Sequence, residues 1–151
     1  GLVLLDPQIT VDGLGPQPPA FLLGLGFEVL RSKWLRTLAN KISYHDTEKY
    51  ATEDAINIGC LHTSLPSWKE NLLEFVMSGG FTPTRYDIRC DESRRLVIWG
   101  KEDEVLPKGD REKVKEMVGG EFLELEECGH VPHLEKAEET AEAIVKFVKS
   151  M

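Results

Sequence analysis

Two strand-like runs in the second half of the chain each stop in a turn that holds a chemically useful residue. Arg95-Leu96-Val97-Ile98-Trp99 runs into Gly100-Lys101-Glu102-Asp103, and Glu121 to Glu126 runs into Cys128-Gly129-His130-Val131-Pro132-His133. Between them, Val114, Met117 and Val118 recur at helical spacing, and Gly119-Gly120 closes the stretch. Strand, helix, strand at this spacing points to two parallel strands joined by a right-handed crossover. The carboxyl ends of parallel strands are where open α/β sheets bind ligands. An acid past one strand and a histidine past the next therefore meet on the working side of the sheet.

The first half reads differently. Gly1 to Leu5 is a continuous apolar run, the pattern of a parallel strand covered on both faces, and Asp6-Pro7 stops it. A chain whose first residues already read as a buried strand is expected to be a fragment. Asp12-Gly13-Leu14-Gly15-Pro16-Gln17-Pro18-Pro19 is a loop without periodicity. From Ala20 to about Gly80 the signals are helical. Phe27, Leu30, Trp34, Leu35 and Leu38 form one apolar stripe, which Arg31-Ser32 divides. Thr52-Glu53-Asp54 opens another helix, with Ala55, Ile58, Gly59 and His62 along a face. Ser67 is placed to cap a third, with Leu72, Leu73, Val76 and Met77 as its stripe and Gly79-Gly80 as its end. Asp110 is placed to cap the helix of Val114. The last helix carries Ala141, Ile144, Val145 and Val148 at i, i+3, i+4 and i+7. The expected architecture is α/β: residues 1–8 and 89–151 form a core with three parallel strands, and residues 9–88 form a helical insertion.

Charge and cysteine usage narrow the partners. The formal net charge of −8 argues against nucleic acid or an anionic membrane surface. The apolar stretch Phe21 to Val29 is broken by Gly24 and Gly26 and carries Glu28, far from the ~20 apolar residues that a membrane span needs. Gly1 to Leu5 contains no basic n-region and is not expected to be a signal peptide. Cys60, Cys90 and Cys128 have no zinc or Cys-x-x-Cys spacing, so free thiols in a reducing, intracellular compartment are expected. Gly13, Gly15, Gly24 and Gly26 do not form a dinucleotide-binding fingerprint. No metal or organic cofactor is implied.

The chemistry rests on Asp103 and His130. A triad acid must hold an imidazole in one tautomer and stabilise the imidazolium, so it must be fixed and shielded. Asp103, flanked by Glu102 and Glu104, would alone read as a surface acid. His130 one strand further on changes that reading, because Gly129 allows a tight turn that exposes the ring and Pro132 stiffens the exit. His133 reads as supporting structure. Asp6 is an alternative acid at the end of the first strand. His62, Trp68 and Met77 are candidate substrate-binding residues in the helical insertion, although a core or helix-contact role is the commoner reason for such residues. No Gly-x-Ser-x-Gly occurs in the chain, so the nucleophile that this pair would serve is absent from it.

Taken together, the segments resemble the C-terminal half of an α/β-hydrolase. Trp99-Gly100-Lys101-Glu102-Asp103-Glu104-Val105-Leu106-Pro107 resembles that family's acid-bearing segment, and Cys128-Gly129-His130-Val131-Pro132-His133-Leu134-Glu135 its histidine-bearing segment. Asp12 to Pro16, Val29 to Ser32, Leu35-Arg36, Ala39-Asn40, Leu61-His62 and Ser78 to Gly80 are similar to plant and algal hydrolases, often plastid-targeted, that are related to carbon–carbon bond (semialdehyde) hydrolases. Ala137 stands where many relatives have Pro.

The resemblance implies that the strands are the sixth, seventh and eighth of the fold and that the insertion is a helical cap. It implies a serine-type hydrolase acting on an ester, thioester or activated carbon–carbon bond of a small molecule, with Asp103 as acid and His130 as base. The missing first half would be the partner that holds the nucleophile and oxyanion hole, so this chain alone is expected to be inactive. An Asp nucleophile, as in epoxide hydrolases and dehalogenases, and a non-catalytic receptor on the same fold remain alternatives.

Overall fold

The computed structural model describes residues 1–9, 11, 18–79, 88, 90–107 and 109–151. The loop read at Asp12 to Gln17 and the helix-ending Gly80 lie outside them. Strands β1 (Leu2–Leu5), β2 (Arg95–Gly100) and β3 (Glu121–Leu125) form one parallel sheet in the order β1-β2-β3. Leu4 lies opposite Val97, and Gly100 opposite Leu125. The expected side-by-side parallel arrangement is present.

Residues alternate across β2 and divide the core in two. Leu96 and Ile98 point to one face, where Leu125, Cys128 and Phe147 join them. Val97 and Trp99 point to the other, against Leu106, Val114 and Val118. The first face is covered by α8 (Ala137–Ser150) and the second by α6 (Asp110–Val118). A sheet covered on both sides needs apolar residues at successive positions, which is why β2 shows no polar alternation.

Several local details differ from the sequence reading. Asp110 is the first residue of α6 rather than its cap. Gly109 holds the cap position with φ 102°, and the Asp110 carboxylate meets the Lys113 ammonium at 3.3 Å. In α8 the buried stripe is Thr140, Ala143, Ile144 and Phe147. Ala141, Val145 and Val148 are exposed, so of the expected stripe only Ile144 packs. Two apolar stripes run side by side on this helix, and Phe147 seats the first one on the sheet.

The helical stretch comprises α1 (Ala20–Arg31), α2 (Lys33–Ile42), α3 (Thr47–Tyr50), α4 (Glu53–Cys60), a 3-10 turn at Leu61–Ser64 and α5 (Trp68–Met77). Ser32 separates α1 from α2 by leaving helical backbone and accepting the Leu35 N–H on its hydroxyl. Asp46 and Thr52 cap α3 and α4 in the same way. Ser67 precedes α5 but makes no capping bond, because its backbone is not extended there. Of the expected α1–α2 stripe, Phe27 is buried, whereas Leu30, Leu38 and above all Trp34, 72% exposed, face outwards. Among the described residues α1 and α2 pack mainly on each other, on α4 and on α5, which is too little to cover the whole stripe.

Candidate active site

Asp103 is fixed by its own turn. Its N–H donates to the Gly100 carbonyl at 3.1 Å, and its Oδ1 accepts the amides of Val105 at 2.7 Å and Leu106 at 3.3 Å. Oδ2 is left to face His130, whose Nδ1 lies 2.9 Å away. The Asp103 side chain is 1% exposed and that of His130 28%. The acid is therefore shielded while part of the ring reaches solvent. With Nδ1–H committed to a carboxylate, a neutral ring presents the Nε2 lone pair as its basic atom.

The histidine turn is held from two sides. The amides of Lys101 and Glu102 donate to the carbonyls of Leu125 and Cys128, and Glu102 Oε2 accepts the Cys128 N–H at 3.0 Å. These bonds tie the turn to the end of β2. From the other side, the His130 N–H donates to the Ser43 carbonyl at 2.8 Å. Glu135, in the short helix α7 (Pro132–Glu135), accepts the Gly129 N–H on Oε2 at 2.7 Å and the Asp46 N–H on Oε1 at 3.0 Å. The Tyr50 hydroxyl donates to the Glu135 carbonyl at 3.3 Å. One buried glutamate thus joins the histidine turn to the helical stretch.

The electrostatics arise from these contacts. The hydrogen bond to Asp103 raises the His130 pKa above its ordinary value; burial opposes this, and the charges of Asp103 and Asp6 add to the rise. Cys128 is pushed up to about 12 by burial, with Glu135 and Asp6 adding to the effect. Its thiol stays protonated at neutral pH and is no nucleophile. All three cysteines are free.

Asp6 also belongs to this site. A carboxylate oxygen of Asp6, one of Asp103 and a ring nitrogen of His130 all lie within 4.8 Å of one another.

The structure thus brings Asp103, His130 and Asp6 together. The candidate substrate-binding residues make other contacts. His62 and Trp68 meet edge to face, with ring centroids 6.3 Å apart, and Met77 is exposed. No hydrogen bond, ion pair or ring contact among the described residues joins these three to Asp103 or His130. The Ser43 hydroxyl donates to the Ala39 carbonyl, so the serine whose backbone touches His130 is not presented to the ring. Glu135, Ser43 and Asp46 are not legible as site residues in the sequence. Glu135 lies in the histidine-bearing segment, but nothing local signals bonds that reach across so much of the chain.

The family model described as the alpha/beta hydrolase family matches residues 1–143. The chain belongs to that family. A curated relative of this α/β hydrolase chain is the alpha/beta hydrolase domain-containing protein VTE7 of Arabidopsis thaliana. It is 27% identical over 149 residues, which are 97% of this chain and 45% of that protein. Among solved structures, the chain is similar to 2-hydroxy-6-oxo-6-phenylhexa-2,4-dienoate hydrolase (BphD) from Rhodococcus sp. strain RHA1. The TM-score is 0.64 at 16% identity, covering 97% of this chain and 54% of that one. It is also similar to a bacterial membrane phospholipase A, with TM-score 0.60, 19% identity and coverage of 99% and 48%. At these identities the two structures show a shared fold. The α/β hydrolase chain described here spans about half the length of these relatives. None of its described helices is long and apolar enough to cross a membrane.

Proposed function

We propose that this chain supplies the acid and the base of a serine-type hydrolase triad whose nucleophile lies in a preceding part of the same fold. The observation that carries the proposal is the 2.9 Å contact between His130 Nδ1 and the shielded Oδ2 of Asp103, made at the ends of adjacent parallel strands. In the intact protein, His130 Nε2 takes the proton of the serine as it attacks the substrate carbonyl, and Asp103 stabilises the imidazolium. His130 then returns that proton to the leaving group. Water resolves the acyl-enzyme, with His130 again as base. The substrate is a small molecule with an ester, thioester or activated carbon–carbon bond.

The helical stretch within residues 9–88 is proposed to be a cap over the strand ends, with 1–8 and 89–151 as core. The bond from His130 N–H to the Ser43 carbonyl supports this, since it places part of the stretch against the histidine turn. His62, Trp68 and Met77 are proposed to face substrate from the cap.

The test is His130→Ala in the full-length protein, assayed on ester, thioester and carbon–carbon substrates. Catalysis should fall by several orders of magnitude with binding retained. Full activity in that variant would end this reading. The present 151 residues, which contain no serine elbow, should show no esterase turnover by themselves.

A further inference from the structure

One buried ionisable group has no task in the Asp103–His130 pair. Asp6 is 4% exposed and directly follows β1, the strand next to β2, whose exit turn holds Asp103. Its backbone adopts φ 38°, a left-handed conformation that few non-glycine residues take. Its N–H donates to the Ile98 carbonyl at 3.0 Å, and its Oδ1 accepts the Gly100 N–H at 2.9 Å. Oδ2 is buried and has no hydrogen-bond partner among the described residues. A strained backbone and an unpaired buried oxygen both cost free energy. A turn that only needed to stop a strand would require neither.

We propose that Asp6 is a second carboxyl serving His130: a positioning residue, set beside Asp103 on the neighbouring strand, that sustains the imidazolium when the Asp103 contact is lost or loosened. The inference rests on the reading of His130 as base. The convergence of Asp6, Asp103 and His130 within 4.8 Å carries it. The two carboxyls do not compete at rest. Burial raises Asp6 to about 7, the Gly100 N–H bond opposes that rise, and Asp103, His130 and Glu135 act as smaller influences, of which only His130 lowers it. The groups facing Asp6 are thus Asp103 and His130 at the strand ends, Glu135 from α7 and the protonated Cys128 thiol. Near neutral pH Asp6 is partly protonated, which limits the cost of a second buried carboxyl beside Asp103. Removing the Asp103 charge, as Asp103→Asn does, removes its repulsion of Asp6, and Asp6 then ionises more readily. The imidazolium then has a carboxylate within reach from the adjacent strand.

The experiment uses the full-length protein in five forms: wild type, Asp6→Asn, Asp103→Asn, the double variant and His130→Ala. Asparagine suits the left-handed backbone at position 6 and still accepts the Gly100 N–H. If the Asp6→Asn protein does not melt cooperatively, Asp6→Gly repeats the test. Asp103→Asn should keep a residual rate that rises with pH as Asp6 ionises. The double variant should lose that limb and fall about tenfold further, a coupling expected of groups that share one partner. The His130 ring, titrated by NMR, should have a higher pKa in Asp103→Asn than in the double variant. Equal rates, pH profiles and ring titrations in those two proteins would overturn the role of Asp6. If His130→Ala retains activity, the reading of His130 as base has failed, and that result is separate from any result at position 6.

Discussion

Gly100 and Gly129 meet backbone to backbone: a Cβ on Gly100 would collide with the carbonyl oxygen of Gly129 and lie 2.6 Å from that of Cys128. The end of β2 and the histidine turn therefore touch with no side chain between them. Gly100→Ala should force one of the two to move, at a cost of about 3 kcal/mol or more. Gly129→Ala meets a similar wall, its Cβ lying 2.7 Å from the Ser43 carbonyl oxygen. Denaturant unfolding of the protein checks both, and a cost below about 1 kcal/mol would show that the approach is not so close.

The Glu135 carboxylate takes two buried amides, those of Gly129 and Asp46. Glu135→Ala leaves both without a partner and should cost about 2–4 kcal/mol. Glu135→Gln keeps one acceptor oxygen and should cost less. The same denaturation experiment ranks the two variants, and the reverse order would contradict the clamp.

His130 has a raised pKa in the folded protein. Its pairing with Asp103 therefore contributes stability that is complete below the unfolded value of 6.5 and is lost as pH rises through the folded value. The destabilisation caused by His130→Asn should be greatest at mildly acidic pH and shrink towards pH ~9. Melting temperatures across that range test the trend, and a gap that widens with pH would be the wrong sign.

Asp6 also has a raised pKa, the unusual direction for an acid. Its folded value is about 7 against 3.8. Between those values the folded state holds the extra proton, so this group's contribution to stability falls as pH rises and its full penalty stands above pH ~7. Asp6→Asn has no such penalty. The stability difference between variant and wild type should shift in favour of the variant from pH ~4 to pH ~8. A difference that does not change with pH would mean that Asp6 titrates normally.

In the described sheet β1 is an edge strand, apolar along its length and half-buried. Such an edge is a template for pairing with another chain. The 151-residue polypeptide expressed by itself should associate or melt without a sharp transition. A monodisperse monomer with cooperative unfolding, seen by sizing and thermal melting, would refute this.

Asp103 and His130 are legible in the sequence because a strand that stops in a turn fixes where its last residues point. The parallel strands are legible because Leu96 to Trp99 admits no exposed face. The features that escape the sequence depend on contacts between distant segments. In α8, two apolar stripes overlap, and only the fit of Phe147 against Leu96 and Ile98 selects one. The burial of Asp6 comes from the closeness of β2, not from its neighbours in sequence. The Glu135 clamp joins residues 46, 129 and 135, and no periodicity connects those positions.

The bonds from Ser43 and Asp46 to the histidine turn bear on how this chain could be recombined with its relatives. Replacing all of residues 20–79 with another helical stretch would lose the placement of the Ser43 carbonyl that accepts the His130 N–H and of the Asp46 amide that donates to Glu135. Replacing only the residues after α3, or only α1, leaves both in place. A chimaera that exchanges part of the helical stretch therefore has its workable seams inside it, on either side of residues 43–46, and not where the stretch joins the sheet.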